Sequence, residues 1–435
     1  MPETFSLPRG MKDINSDEMT RRLWLYDNIR EIVARYGFQL VEPSTIENLE
    51  TLEAKSGPAI RNEIYWFKDK SERDLGLRFD LTVGLTRMVT SRTDLPEPIK
   101  YASIGGNWRY DEPQFGRYRY FTQWDVEIFG SASPAADAEV ICVGADIMQN
   151  IGLKNFKIRI SNRRLTEAYL NQLGLTSGEK LDQTLRIIDK IRKVTPDELM
   201  KEFLAIGIEP ANIEKILAFI SINGSPVDVL QKLAEFEFQE EKAKIAIGEL
   251  KLLADSLEAY GRTEICTYDL SIVRGIGYYD GIVFEGYDEA EEVGAVFGGG
   301  RYDGLCKIFG KRDIPATGVA GGVERLMISL EKANLFPRMK PAAKVFIATI
   351  QPDANLEAAK LAKQLRERNI PTQIDLKERS LSKQLAYVNA SSIPYMIVLG
   401  RRELESRVVK IKKMSTREEI ETTLDEVGSR IEQLE

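Results

Sequence analysis

The sequence predicts a β-rich domain that is interrupted by a block of helices and followed by a small α/β domain. Three observations carry this reading. The chain has 435 residues, too many for one hydrophobic core, so two or three domains are expected. From about Thr176 to Gly261, strand-like runs give way to helices with clear caps. Beyond the linker Phe336-Pro337-Arg338-Met339-Lys340-Pro341, strand and helix patterns alternate as they do over a parallel sheet.

The first element is a helix from Asp17 to Tyr36. Ser16 is its expected N-cap, Gly37 its stop, and Met19, Leu23, Tyr26, Ile29, Val33 and Tyr36 its apolar stripe. A strand through Phe38–Val41 ends at Glu42-Pro43, and strand-like runs follow at Glu63–Phe67 and Leu77–Asp80. Trp108 to Arg117 reads as a hairpin tip with arginines on both sides, and Ala136–Ile151 as a helix. Within the helical block, Thr195-Pro196-Asp197-Glu198 combines an N-cap, a proline at the first helical position and a capping-box glutamate. Strands return at Tyr279–Glu285 and Ala295–Phe297, and Thr317–Gly322 leads into a helix near Val323. The last domain reads as strands at Lys344–Ile350, Thr372–Asp375 and Tyr395–Leu399 with helices at Asn355–Arg368 and Leu381–Asn389.

One strand, Tyr118 to Gly130, carries most of the chemistry. Side chains alternate along a strand, so Tyr118, Tyr120, Thr122, Trp124, Val126 and Ile128 share a largely apolar face. Arg119, Phe121, Gln123, Asp125 and Glu127 share the other, which is costly to bury without a ligand. At ~3.3 Å per residue, Phe121 to Glu127 spans roughly 20 Å, enough to floor an extended ligand with an aromatic ring at one end. The plain alternative is a half-exposed strand whose polar face is solvated.

Composition narrows the chemistry. Hydrophobic content of 43% and charged content of 29% fit a globular protein, and no apolar run approaches membrane-spanning length. The polar N-terminus, Met-Pro-Glu-Thr, is not a signal peptide, and a cytoplasmic location is expected. Cys142, Cys266 and Cys306 are far apart and lack metal or disulfide spacing. A net charge of −7 does not advertise a nucleic-acid partner, although a local basic groove is compatible with it. The chain has no histidine (His 0), which removes imidazole acid–base chemistry and Ser-His-Asp or Cys-His pairs.

Three glycine-rich clusters complete the inventory: Val273-Arg274-Gly275-Ile276-Gly277-Tyr278-Tyr279, Gly298-Gly299-Gly300-Arg301-Tyr302-Asp303-Gly304 and Gly318-Val319-Ala320-Gly321-Gly322-Val323-Glu324-Arg325. Glycines let a backbone approach a bound molecule closely, and arginine forks suit phosphate oxygens. None is a Walker loop or a dinucleotide fingerprint. The order Pro43, then Arg109…Phe121, then Gly-Val-Glu-Arg325-Leu resembles the three motifs of class II aminoacyl-tRNA synthetases. The first two clusters look like the signature peptides of the histidyl-tRNA synthetase family, Leu7-Pro8-Arg9-Gly10-Met11 like its N-terminal start, and Arg78-Phe79-Asp80-Leu81-Thr82 like its archaeal and eukaryotic branch. Gly277 departs from the usual Asp, and Tyr120 stands where Glu is common.

The resemblance implies an α+β catalytic domain with an antiparallel β-sheet at residues 1–335, a helical insertion at 176–261, and an anticodon-binding α/β domain at 342–435. It implies ATP-dependent activation of histidine to histidyl-adenylate and transfer to the 3′ end of tRNA(His). Carried over residue by residue, Arg109 would hold the α-phosphate and Arg274 would sit between the histidine carboxylate and the α-phosphate, both as catalytic residues. Phe121 would stack on adenine, Arg325 clamp the far phosphates, and Arg117 join them in the ATP site. Asp80, Thr82 and Gln123 would hold the α-amino group, and Glu127, Tyr278 and Tyr279 the imidazole. Mg²⁺ is expected with ATP, its protein ligands being open between Asp111, Glu112 and none. A homodimer is implied by the first helix and the strand ending at Pro43. The competing readings are a synthetase-like regulatory subunit of ATP phosphoribosyltransferase and a class II synthetase for another amino acid. Finally, Arg401 to Lys413 holds six basic and two acidic residues, with Lys410 and Lys412 alternating outward, either towards tRNA phosphates or as a solvated edge.

Overall fold

The computed structural model describes residues 5–56, 58–112, 118–176, 178–192, 194–274, 279–288, 294–310 and 312–434. They form two compact units, Met1–Phe336 and Pro337–Glu435. The first is built on a nine-stranded sheet: β1 (Gln39–Leu40), β2 (Ile99–Trp108), β3 (Tyr120–Phe129), β4 (Phe156–Asn162), β5 (Asn223–Gly224), β6 (Cys266–Asp269), β7 (Ile282–Asp288), β8 (Ala295–Arg301) and β9 (Ala316–Gly322). Their spatial order is β1-β2-β3-β9-β8-β7-β4-β6-β5. The central run from β2 to β4 is antiparallel throughout. A three-stranded sheet of Ile46–Asn48, Asp74–Leu77 and Trp66–Lys68 stands beside it.

Helix α1 (Ser16–Arg35) is capped by Asn15, whose side chain accepts from the Glu18 amide, so the cap lies one residue before the expected Ser16. Gly37 stops the helix with φ +75°, as a left-handed C-terminal residue does. The buried face differs from the predicted stripe. Arg22, Leu25, Ile29, Ile32 and Val33 face inward, while Met19 and Leu23 stay exposed. Tertiary packing rotates the helix because Arg22 finds the buried Glu324 and the half-buried Glu18, a compensation that periodicity does not register. Helix α2 (Thr82–Thr90) follows the loop carrying Asp80; the preceding strand ends at Leu77 rather than running through Asp80. Helix α3 (Pro134–Asn150) lies on the sheet with Ala138, Ile141, Ala145 and Met148 wholly buried, and helix α4 (Val323–Lys332) leaves directly from β9. Five helices from Gly178 to Ala259 interrupt the sheet, and their apolar residues join the same core as α1, α3 and the central strands.

The second unit has a five-stranded sheet of β10 (Val345–Thr349), β11 (Thr372–Ile374), β12 (Tyr395–Leu399), β13 (Val408–Lys413) and β14 (Glu419–Thr423), ordered β11-β10-β12-β13-β14. Parallel pairing holds for β10 with β11 and β12, and the last two strands add on antiparallel. Lys410 and Lys412 do not form an uncompensated basic row. They lie opposite Glu421 and Glu419, and Lys410 Nζ reaches Glu419 at 3.2 Å. Cross-strand charge pairing therefore offsets the local excess counted between Arg401 and Lys413.

Candidate active site

A cleft of about 300 Å³ opens over the middle of the large sheet. Asp80, Thr82, Arg109, Phe121, Gln123, Glu127, Arg274, Tyr279 and Arg325 all line it. Every described candidate for the histidine and ATP sites is therefore brought together; Asp111 also lines the cleft, whereas Glu112 is exposed and pairs with Arg9. Arg117 and Tyr278, and also Gly277, lie outside the described residues. Strand β3 supplies Phe121, Gln123 and Glu127 by its two-residue period. Arg119, expected on the same face, lies just before the strand and turns away, with Nε donating to the Asp111 carbonyl and its guanidinium over the Tyr110 ring.

At one end Glu127 is 2% exposed and accepts from Thr82 Oγ1 at 2.9 Å and from the Tyr302 hydroxyl at 2.5 Å. Thr82 has a single proton to give, and its longer 3.3 Å approach to Asp125 Oδ2 is the lesser contact. Gly318 lies opposite Glu127 in the β3–β9 register. A Cβ at Gly318 would sit 1.5 Å from Glu127 Oε2, so only glycine leaves the carboxylate its place. Asp80 Oδ1 accepts from the Val83 amide in the first turn of α2, and Gln123 Oε1 accepts from the buried Asn107 at 3.2 Å.

The other end is cationic. Arg109 Nε donates to the Phe79 carbonyl at 3.0 Å, and its guanidinium lies 4.9 Å from the centre of the Phe121 ring. Arg325 Nη1 donates to the Ala295 carbonyl at 2.7 Å. Arg274 has φ +50°, a left-handed conformation costly for a residue with a Cβ. Arg163 Nη1 donates to its carbonyl at 3.3 Å, Glu285 Oε1 accepts from its Nη1 at 3.3 Å, and the Tyr279 ring lies 5.3 Å from it. A Cβ at Gly298 would fall 1.8 Å from Arg274 Nη1, which is why that strand position has no side chain.

Sequence reasoning missed Tyr302, Glu285 and Glu324. Tyr302 sits in a quoted glycine cluster, and Glu324 beside Arg325, so both were signalled by context. Glu285 was visible only as a strand residue. Burial pushes the thiols of Cys142, Cys266 and Cys306 up to about 12, so none is a nucleophile near neutrality. The arrangement can hold an anion at the arginine end and a hydrogen-bonding ring against Glu127, with an aromatic platform for a second ring.

Residues 10–326 match the family model described as histidyl-tRNA synthetase. The chain belongs to the histidyl-tRNA synthetase family. The match contains every cleft residue named above, and residues 344–434 match an anticodon binding domain. The chain is 37% identical over 428 residues to the histidine–tRNA ligase of Pyrococcus horikoshii, covering 98% of both chains. It is 33% identical to that of Haloarcula marismortui over 96% of this chain and 95% of the relative. Among solved structures, the histidyl-tRNA synthetase of Nostoc sp. PCC 7120 superposes with a TM-score of 0.83 at 26% identity, covering 100% of each chain. The fold class is thus that of the class II synthetases, with the antiparallel catalytic sheet and a separate anticodon domain. Among the described residues, no helix is long and apolar enough to cross a membrane.

Proposed function

We infer that the chain is a histidine–tRNA ligase working through this cleft. The observation that carries the reading is the convergence of the nine described candidates on one cleft, with a buried carboxylate at one end and three arginines at the other. Histidine binds with its imidazole N–H towards Glu127 and its ring beside Tyr279, and its α-amino group is held by Asp80, Thr82 and Gln123. Adenine lies on Phe121, Arg109 and Arg274 hold the α-phosphate, and Arg325 takes the far phosphates. A histidine carboxylate oxygen attacks the α-phosphorus, the bond to the β-phosphate oxygen breaks, and pyrophosphate leaves. A terminal ribose hydroxyl of tRNA(His) then attacks the activated carbonyl, and AMP departs. Both steps rest on positioning and on neutralising negative charge, so a chain without histidine can perform them. Mg²⁺ enters with ATP as part of the substrate. Among the described residues, no group of three His, Cys, Asp or Glu is placed to hold a metal ion. Histidine alone among amino acids should support ATP–pyrophosphate exchange. Exchange with a different amino acid, or none, would overturn the reading and favour one of the two competing functions.

Residues 342–435 serve as the anticodon reader in this proposal. A chain ending before Ala342 should keep histidine-dependent exchange, charge tRNA weakly and show a shallower salt dependence of tRNA binding. Full charging efficiency by that truncated chain would remove the assignment. The working unit is a cytoplasmic homodimer, supported by the exposed Met19 and Leu23 on α1 and by the exposed Leu40 on β1. Sedimentation at micromolar concentration should give twice the chain mass, and a single species at monomer mass would count against it.

A further inference from the structure

We propose that Arg22, a residue of α1 outside the substrate cleft, is a positioning residue for the ATP end of the site and acts through Glu324. The inference rests on the ATP site assigned above and identifies what fixes its two halves relative to each other.

The β3–β9 ladder ends at the pair Gln123–Gly322. One residue further along β3, the Thr122 amide has no strand partner from β9. The Glu324 side chain takes over, accepting from Thr122 N with both oxygens, at 3.0 and 3.1 Å. Thr122 is the residue between Phe121 and Gln123, and Glu324 is the residue before Arg325. One carboxylate thus joins the adenine platform to the helix turn that carries the phosphate-binding arginine.

A buried carboxylate needs a partner to stay charged. Glu324 is 7% exposed, and Arg22, 3% exposed, donates from Nη1 to Glu324 Oε1 at 2.9 Å and to Thr122 Oγ1 at 3.2 Å. Its Nε and Nη2 both reach Glu18 Oε1, at 3.2 and 2.9 Å. The guanidinium therefore meets two carboxylates and a hydroxyl from α1, β3 and α4, in the planar fork that lysine cannot reproduce. Burial works against its charge, but Glu324 and Glu18 outweigh that and raise its titration above the ordinary arginine range. Without Arg22, the Glu324 carboxylate would be left buried without its cation and would turn towards solvent, releasing Thr122. The histidine end is insulated, because Glu127 lies inside the ladder and is paired with Gly318.

The test uses the full-length chain carrying Arg22→Met, Arg22→Lys, Glu324→Gln, or Arg22→Met with Glu324→Gln. Histidine-dependent exchange is titrated separately in ATP and in histidine. Arg22→Met should raise KM for ATP by about tenfold or more and KM for histidine by less than ~3-fold, as loss of a buried ion pair near one ligand does. Arg22→Lys should fall between Arg22→Met and the unaltered chain. The double variant keeps an amide oxygen for Thr122 and removes the unpaired charge, so it should recover much of the ATP affinity. Hydrogen exchange at the Thr122 amide should accelerate in Arg22→Met and slow again in the double variant. Unchanged KM values in Arg22→Met, or a double variant as impaired as the single one, would overturn the proposal. If Arg22→Met fails to fold, Arg22→Lys and the double variant decide by the same criteria. If the unaltered chain gives no exchange with histidine, the functional reading fails. Thr122 protection then still decides the positioning claim.

Discussion

Replacing Arg274 by alanine is expected to lower the rate of histidyl-adenylate formation by at least ~100-fold, as removal of a donor to developing oxyanion charge does. The expectation comes from how many groups hold this one side chain. Its backbone sits at φ +50°, where alanine is no more at ease than arginine, so the substitution leaves the loop geometry unrelieved. Arg163 fixes the carbonyl, Glu285 accepts from the guanidinium, and Gly298 clears the space it occupies. A side chain over-determined in this way is preorganised, and preorganised charge acts on the transition state without rearrangement. Pre-steady-state formation of adenylate separates this from a binding defect. A normal rate with only a raised KM for histidine would remove Arg274 from the chemical step.

How far the sequence carried the reading depends on whether each contact is local. The alternation along β3 predicted that Phe121, Gln123 and Glu127 share the cleft, because a period of two needs no tertiary information, whereas Arg119 and Asp125 of the same predicted face do not line it. Asp80, Arg109, Arg274 and Arg325 were readable from their glycine and aromatic context, together with the resemblance that this context carries. Tyr302 was not assigned a role because its partner Glu127 is 175 residues away, and only the adjacency of β9 to both β3 and β8 brings them together. Glu285 was silent for a different reason: Arg274 is only 11 residues before it, but nothing in either residue type announces their contact. The buried face of α1 was misread because a charged residue, Arg22, occupies it, and hydrophobic periodicity has no means of expecting two waiting carboxylates. For Lys410 and Lys412 the sequence showed the outward alternation but not the compensating glutamates, which lie on the next strand, beyond a turn.

Glu127→Gln tests the other end of the cleft and should reduce kcat/KM for histidine by about two to three orders of magnitude. Each hydrogen bond to a buried charged group contributes roughly 1.5–3 kcal/mol, and the substitution disturbs more than one. The carboxylate now accepts from two donors, Thr82 Oγ1 and the Tyr302 hydroxyl. An amide of nearly the same shape has one oxygen, so its NH₂ would face a donor and leave a buried group unpaired. It also loses the charge that attracts an imidazole N–H. Sites built on such buried bonds discriminate strongly against any mismatch, because unpaired polar groups have no water to turn to. Binding of ATP should change by less than ~3-fold, since Arg109 and Arg325 are held at the other end of the cleft by the Phe79 and Ala295 carbonyls. Tyr302→Phe, which removes one donor and leaves the charge, should cost only about tenfold, in line with the loss of a single bond. Both variants should stay folded, as a thermal melt can verify. An equal loss of ATP and histidine affinity in Glu127→Gln would detach the carboxylate from imidazole recognition and place its role in holding β3 and β9 together.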